Sequence, residues 1–286
     1  MRWTVIDKGE GRMAVGLVDG DAVADLSGAG DAFAGDLGAV IAAGDAAAKA
    51  AKAALATAPR LPLDTPRALP IGNPGKIVCL GLNYSKHARE GGYSESEYPS
   101  MFLRMPQSLV AHGVALERPL CSERFDYEAE LMVIIGKGGR HIAEEDALAH
   151  VFGYTLFNDG TLRDFQRKAT QWTPGKNFDR SGSVGPDVVT PDELPAGAAG
   201  LRIQSRLNGV IMQDANTDQM LFSTARTIAI VSQFAALAPG DMIALGTPEG
   251  VGHARKPPVW MKAGDTIEVE IDQIGCLKNG IVDETP

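Results

Sequence analysis

The stretch Phe125-Asp126-Tyr127-Glu128-Ala129-Glu130-Leu131-Met132-Val133-Ile134-Ile135-Gly136 decides how this chain is read. From Leu131 to Ile135 it is wholly apolar, β-branched towards its end and closed by Gly136, which spells a buried strand. Side chains on a strand alternate between faces, so Glu128 and Glu130 share a face with Met132 and Ile134. Two carboxylates running straight into a buried segment are costly unless something neutralises them. A divalent cation held by oxygen ligands would do so. The alternative is a solvent-exposed strand end with both glutamates hydrated, and a Glu-x-Glu alone does not choose between them.

At 286 residues, 44% hydrophobic and 22% charged, the chain can bury a substantial core, as one large domain or as a small one and a large one. A formal net charge of -9 argues against a nucleic-acid surface and gives no electrostatic attraction to an anionic membrane. No apolar run approaches the length of a membrane span. Cys79, Cys121 and Cys276 are odd in number and widely spaced, which indicates neither a disulfide framework nor a zinc site. Cys79 and Cys276 fall in apolar, strand-like segments and read as core packing. The N-terminus lacks a signal-peptide apolar core, and a reducing cytoplasm is the expected location.

Working outward from the strand, residues 1–26 read as a meander with a hairpin at Asp19-Gly20. An alanine-rich helical stretch from about 31 to 58, interrupted by glycines, reads as two short helices. Pro59 to Pro74 holds five prolines in sixteen residues, an extended linker that places a boundary between a small N-terminal domain (1–70) and a larger one (71–286). Residues 201–271 are β-rich, with a type I′ hairpin signal at Asn208-Gly209 and a last strand at Thr266 to Ile271. A helix from about Ser223 to Leu237 carries Ile228, Val231, Phe234 and Ala235 on its core face. Many short strands with few helices predict a β-rich α+β fold.

Chemistry-bearing side chains are scattered along this frame. His87 and Glu90, three apart in a short helix after the strand 76–84, share one face; a carboxylate beside an imidazole fixes its tautomer and raises its basicity. An exposed surface pair has the same spacing. The glycine- and serine-rich segment 91–100 behind that helix reads as a mobile lid. Asp159, at the C-terminal end of the apolar strand 151–157, suits either a third metal ligand or a helix cap. Lys176 lies in a turn and by itself reads as solvated. The loop Gly246-Thr247-Pro248-Glu249-Gly250-Val251-Gly252 has neither the lysine of a Walker loop nor the glycine order of a dinucleotide site.

Together these pieces resemble the fumarylacetoacetate hydrolase family over about residues 75–283. Seven stretches occur in the family's order. They are Gly81-Leu82-Asn83-Tyr84 with His87 and Glu90, Asp126 to Leu131, Gly153-Tyr154 through Asn158-Asp159, Arg163-Asp164-Phe165-Gln166, Gly175-Lys176-Asn177-Phe178, Pro239-Gly240-Asp241, and Gly246 to Gly252. The resemblance implies a mixed β-sandwich roll behind a small N-terminal α/β domain, binding Mg²⁺ (or Mn²⁺ or Ca²⁺) and assembling as a homodimer. It implies Glu128, Glu130 and Asp159 as metal ligands and His87 with Glu90 as the pair that activates water, Gln166 helping to orient it. Lys176 would stabilise developing negative charge, and Thr247, with Gly246 and Arg104, would contact substrate. The chain departs from the family pattern at Gly160-Thr161-Leu162 and at Arg104-Met105, where a Lys-Pro pair is frequent.

The activity so implied is metal-dependent hydrolysis of a C–C bond in an acylpyruvate or related diketo acid, as in aromatic or sugar-acid catabolism. The alternative keeps the metal enolate but changes the bond: decarboxylation of an oxaloacetate-like acid or isomerisation of a hydroxymuconate. A non-enzymatic protein with a structural metal is a third reading, disfavoured because such a site needs neither His87 nor Lys176. The expected partner is a small keto or diketo acid, with no nucleic acid and no membrane.

Overall fold

In a computed structural model of the chain, described over residues 1–92, 94 and 97–285, the central strand runs Ala129–Ile135 and is buried throughout. Its alternation feeds two cores. Leu131, Val133 and Ile135 pack with Tyr154, Ile203 and Val269, and Met132 and Ile134 pack with Phe157, Val184 and Trp3. At about 1.5–3 kcal/mol for each fully buried large apolar side chain, these contacts fix the strand that carries Glu130 and directly follows Glu128.

The strand is antiparallel to Val151–Asn158 on one side and to Met242–Ala244 on the other, inside an eleven-stranded sheet. Beyond Met242–Ala244 lie Ile77–Gly81 and Ser100–Leu103. A second sheet of five strands, running from Val210–Asn216 to Leu116–Arg118, packs over the first through Ile203, Val269 and Leu277. This is the mixed, sheet-rich α+β architecture expected. Among the described residues no helix is long and apolar enough to cross a membrane.

The N-terminal segment shares the large sheet: Arg2–Asp7 pairs with Gly182–Val189, and three further strands continue outward. Helices Leu37–Ala43 and Asp45–Ala54 break at Gly44. Asn208 (φ 52°) and Gly209 (φ 79°) both adopt the left-handed backbone that a type I′ hairpin requires.

Two expectations need correction. The helix Thr224–Phe234 buries Ile228 and Val231, but Phe234 is 55% exposed. Ala235 turns extended there, so the buried stripe does not continue. Thr266–Ile271 is not the last strand, because Gly275–Asp283 follows and pairs with it. Lys278-Asn279-Gly280 breaks the apolar pattern after the strand-like stretch at Cys276 and conceals the length of that strand in the sequence. The expected lid, 91–100, falls partly on Tyr93, Glu95 and Ser96, which lie outside the described residues.

Candidate active site

Strand register assembles the three acids. Ala129 faces Asn158 across the antiparallel pair, so the next position sets Glu128 beside Asp159, whose N–H donates to the Glu128 carbonyl at 2.9 Å. Glu130 follows on the same face, two residues along. One carboxylate oxygen from each of Glu128, Glu130 and Asp159 lies within 4.8 Å of the others, and all three residues are buried. A hydrated strand end is thereby excluded.

Three cations surround the group. Lys176 Nζ donates to Glu128 Oε2 at 2.6 Å and to Asp159 Oδ2 at 2.5 Å. Arg163 Nη2 lies 2.6 Å from Glu128 Oε1, and Arg104 Nη1 donates to Asp159 Oδ1 at 2.5 Å. Lys176 is buried rather than solvated, because the helix Thr173–Lys176 sits tightly against Gln166. A Cβ on Gly175 would come within 2.4 Å of the Gln166 nitrogen, so only glycine permits that approach.

The environments drive the two glutamates apart. Burial pushes the Glu128 carboxyl up, but Arg163 and Lys176 outweigh it and hold it well below the usual range. Burial also pushes Glu130 up, and there Asp159 and Glu128 add to the rise, leaving it far above the usual range. Burial alone would lower Lys176, yet Asp159 and Glu128 raise it, keeping its ammonium charged. Among the described residues the hydrogen-bond partner of the Glu130 carboxylate is the Gly246 N–H, at 3.0 Å. Glu130 is therefore the least compensated of the three, and a hard cation shared with Glu128 and Asp159 supplies what it lacks. The donor set fits a divalent ion.

His87 borders the same cavity, together with Glu128, Glu130, Gln166, Lys176 and Thr247. The cavity volume is about 40 Å³, where one water needs ~10–15 Å³, so an ion and a water or two fit. His87 Nδ1 is 2.9 Å from Glu90 Oε1. A carboxylate only accepts, so the neutral tautomer this contact favours has its proton on Nδ1 and its lone pair on Nε2. Glu90 is itself fixed by the Gly250 N–H, at 3.1 and 3.2 Å from its two oxygens. The glycine-rich loop thus orients both the pair and Glu130.

Two residues expected at the substrate stand elsewhere. Arg104 lies behind Asp159, bonding Ser108, Gly160 and Ser181, with its guanidinium closed off from solvent. Gly246, at φ 84°, turns its N–H to Glu130. Thr247 does border the cavity, and its hydroxyl accepts from Gln213 Nε2 at 2.8 Å. Gln213 went unnoticed in the sequence: its Oε1 accepts from the Ala129 N–H and the Ser205 hydroxyl, tying the Thr247 loop to the central strand. No local pattern announces it, since the contact spans distant parts of the chain. Asp126 and Arg163 were legible only as motif letters, yet Arg163 Nε donates to Asp126 Oδ2 at 2.7 Å while its other arm holds Glu128.

The family model for the fumarylacetoacetate (FAA) hydrolase C-terminal domain matches residues 76–282. The chain belongs to the fumarylacetoacetate hydrolase family. It is 44% identical over 215 residues to a mitochondrial oxaloacetate tautomerase of Xenopus laevis, spanning 74% of this chain and 67% of the relative. A fumarylacetoacetate hydrolase from Exiguobacterium antarcticum shares the architecture at TM-score 0.88 and 33% identity, over 99% of this chain and 100% of that one. A maleylpyruvate hydrolase from Sphingobium sp. SYK-6, in complex with manganese(II) and pyruvate, matches at TM-score 0.84 and 30% identity over the whole of both chains. Fumarylacetoacetate hydrolase relatives are thus enzymes of more than one reaction type, and the manganese complex together with the acidic trio here supports a divalent metal. The expected cytoplasmic location is overturned, since relatives from Xenopus laevis, Bos taurus and Homo sapiens are named mitochondrial. Unpaired cysteines and an acidic composition suit any reducing compartment and never distinguished these two.

Proposed function

We propose that the chain interconverts the keto and enol forms of a 2-oxo acid of the oxaloacetate type, held through Mg²⁺ or Mn²⁺ on Glu128, Glu130 and Asp159. The observation that carries this reading is the meeting of Glu128, Glu130 and Asp159 beside one small cavity, which Glu128 and Glu130 border together with His87, itself bonded to Glu90. Similarity to oxaloacetate tautomerases supports it over the hydrolysis expected first. A divalent cation bound there supplies a Lewis acid that acidifies the C–H beside a chelated carbonyl.

The protein's own groups then manage one proton. His87 Nε2 takes a proton from C3, and the resulting imidazolium, steadied by Glu90, returns it to the C2 oxygen. Lys176, held charged by its two carboxylates, adds positive potential where the enolate forms. No water need attack.

C–C hydrolysis of an acylpyruvate is the second reading. Gln166 favours it: this residue borders the cavity, and its Oε1 accepts from Arg163 Nη1 at 3.0 Å, which leaves its NH₂ to orient a water. Assembly as a homodimer belongs to either reading and is measurable by light scattering. The reactions separate in D₂O. Tautomerisation places deuterium at C3 of oxaloacetate faster than buffer with metal does, while the total acid stays constant. Hydrolysis releases pyruvate and a second acid from an acylpyruvate. Acid release without accelerated exchange would reverse the order of the two readings.

A further inference from the structure

The small cavity opens beside a larger groove of about 610 Å³, bordered in part by Met101, Phe102, Gln166, Arg167 and Trp172. Gln166, Arg167, Phe102 and Trp172 belong to both spaces, so the groove adjoins the cavity that Glu128 and Glu130 border. Arg167 is the single charged side chain among the described residues that border the groove. This is a cationic entrance on a chain of formal net charge -9.

The other fixed cations of the cavity wall are already engaged: Lys176 with Glu128 and Asp159, Arg163 with Asp126 and Glu128. Arg167 is exposed and, among the described residues, its guanidinium meets no carboxylate. It follows directly on the short helix Arg163–Gln166, whose first residue is pinned by Asp126 and Glu128, so its backbone is anchored to the site.

We propose that Arg167 binds the distal carboxylate of the substrate and so selects 2-oxo dicarboxylic acids over 2-oxo monocarboxylic acids. The inference rests on the reading that a 2-oxo acid chelates a cation at Glu128, Glu130 and Asp159. If the C1 carboxylate and C2 carbonyl oxygens of a 2-oxo acid bound a cation held by the trio, its remaining carbons would extend away from those residues, and the groove lining offers one positive group to meet them. A guanidinium forms a two-pronged bond with a carboxylate, which a lone apolar terminus cannot replace.

The test compares two ligands that cannot enolise because C3 bears no hydrogen. They are 2-oxo-3,3-dimethylsuccinate and trimethylpyruvate, which differ only in a carboxylate replaced by a methyl group. Binding to the Mn²⁺-loaded chain is followed by calorimetry. The parent is expected to bind the dicarboxylate roughly 10–100-fold more tightly, as a hydrogen-bonded charge pair implies. Arg167→Met is expected to remove that preference while binding trimethylpyruvate within about twofold of the parent, and Arg167→Lys to keep part of it. Equal binding of the two ligands by the parent, or a preference that survives in Arg167→Met, overturns the assignment of Arg167 alone. Failure of the parent to bind either ligand overturns the chelation reading, and the inference with it.

Discussion

Arg104 Nη1 donates to Asp159 Oδ1 at 2.5 Å, and neither side chain is reached by solvent. The same guanidinium bonds Ser108 and Ser181 and the Gly160 carbonyl, so it locks the Asp159 carboxylate from behind and leaves Lys176 on the other side. Removing one partner of a buried pair leaves an uncompensated charge, and groups that orient metal ligands typically matter 10–100-fold in affinity. Arg104→Met is therefore expected to weaken Mn²⁺ binding by roughly 10–100-fold and to destabilise the metal-free chain by about 3–5 kcal/mol. Arg104→Lys keeps the charge but loses the fork and should fall between. Metal titration and thermal melting read both effects, and unchanged metal affinity in Arg104→Met would show that Asp159 is positioned without it.

Asp126 is a second anchor. Its carboxylate accepts from Arg163 Nε and from the N–H of Gly252, both at 2.7 Å, and from the His253 N–H at 3.0 Å. Burial pushes this carboxyl up, but Arg163 and His253 outweigh it and hold it below the ordinary 3.8. A carboxyl whose folded pKa is depressed contributes stability above its unfolded value and loses it as pH falls through the folded one. Asp126→Asn should thus cost about 3–5 kcal/mol near neutrality, with the gap to the parent narrowing only below pH 3.8. Urea unfolding at several pH values checks this, and a gap independent of pH down to the acid limit would contradict it.

His87 bonds Glu90 rather than the acidic trio, so its removal should separate chemistry from metal binding. His87→Ala is expected to lower kcat for tautomerisation by roughly 10²–10⁴ while Mn²⁺ affinity stays near the parent's. Glu90→Gln, which leaves the imidazole unsteadied, should show a smaller loss. Parent-like kcat in His87→Ala would remove His87 from the proton path.

The central strand and its two faces were legible because an uninterrupted apolar run, β-branched towards its end, has few other solutions. Parity set Glu128 and Glu130 on one face, and their role as ligands came only with the family resemblance. Asp159 was ambiguous locally. Only the register of Ala129 against Asn158 carries it to Glu128, and register is a tertiary property. Lys176 by itself read as solvated, and only the resemblance placed it at the site, because burial of a lysine depends on partners far along the chain, here Glu128 and Asp159. Arg104 was assigned to the substrate because the sequence does not reveal which side of Asp159 it approaches. Gly275–Asp283 was missed where Lys278-Asn279-Gly280 breaks the alternation. Its pairing with Thr266–Ile271 carries the strand past that break.

The most direct measurement follows the enol absorbance of oxaloacetate with the purified chain, first after chelation and then after Mg²⁺ or Mn²⁺ is restored. With metal, the chain is expected to speed enol–keto equilibration at least ~100-fold over metal alone, while the chelated chain and a Glu130→Gln variant stay near the buffer rate. Equal rates with and without metal, or a loaded chain no faster than free metal, would contradict metal-dependent enolisation at a site built on Glu128, Glu130 and Asp159.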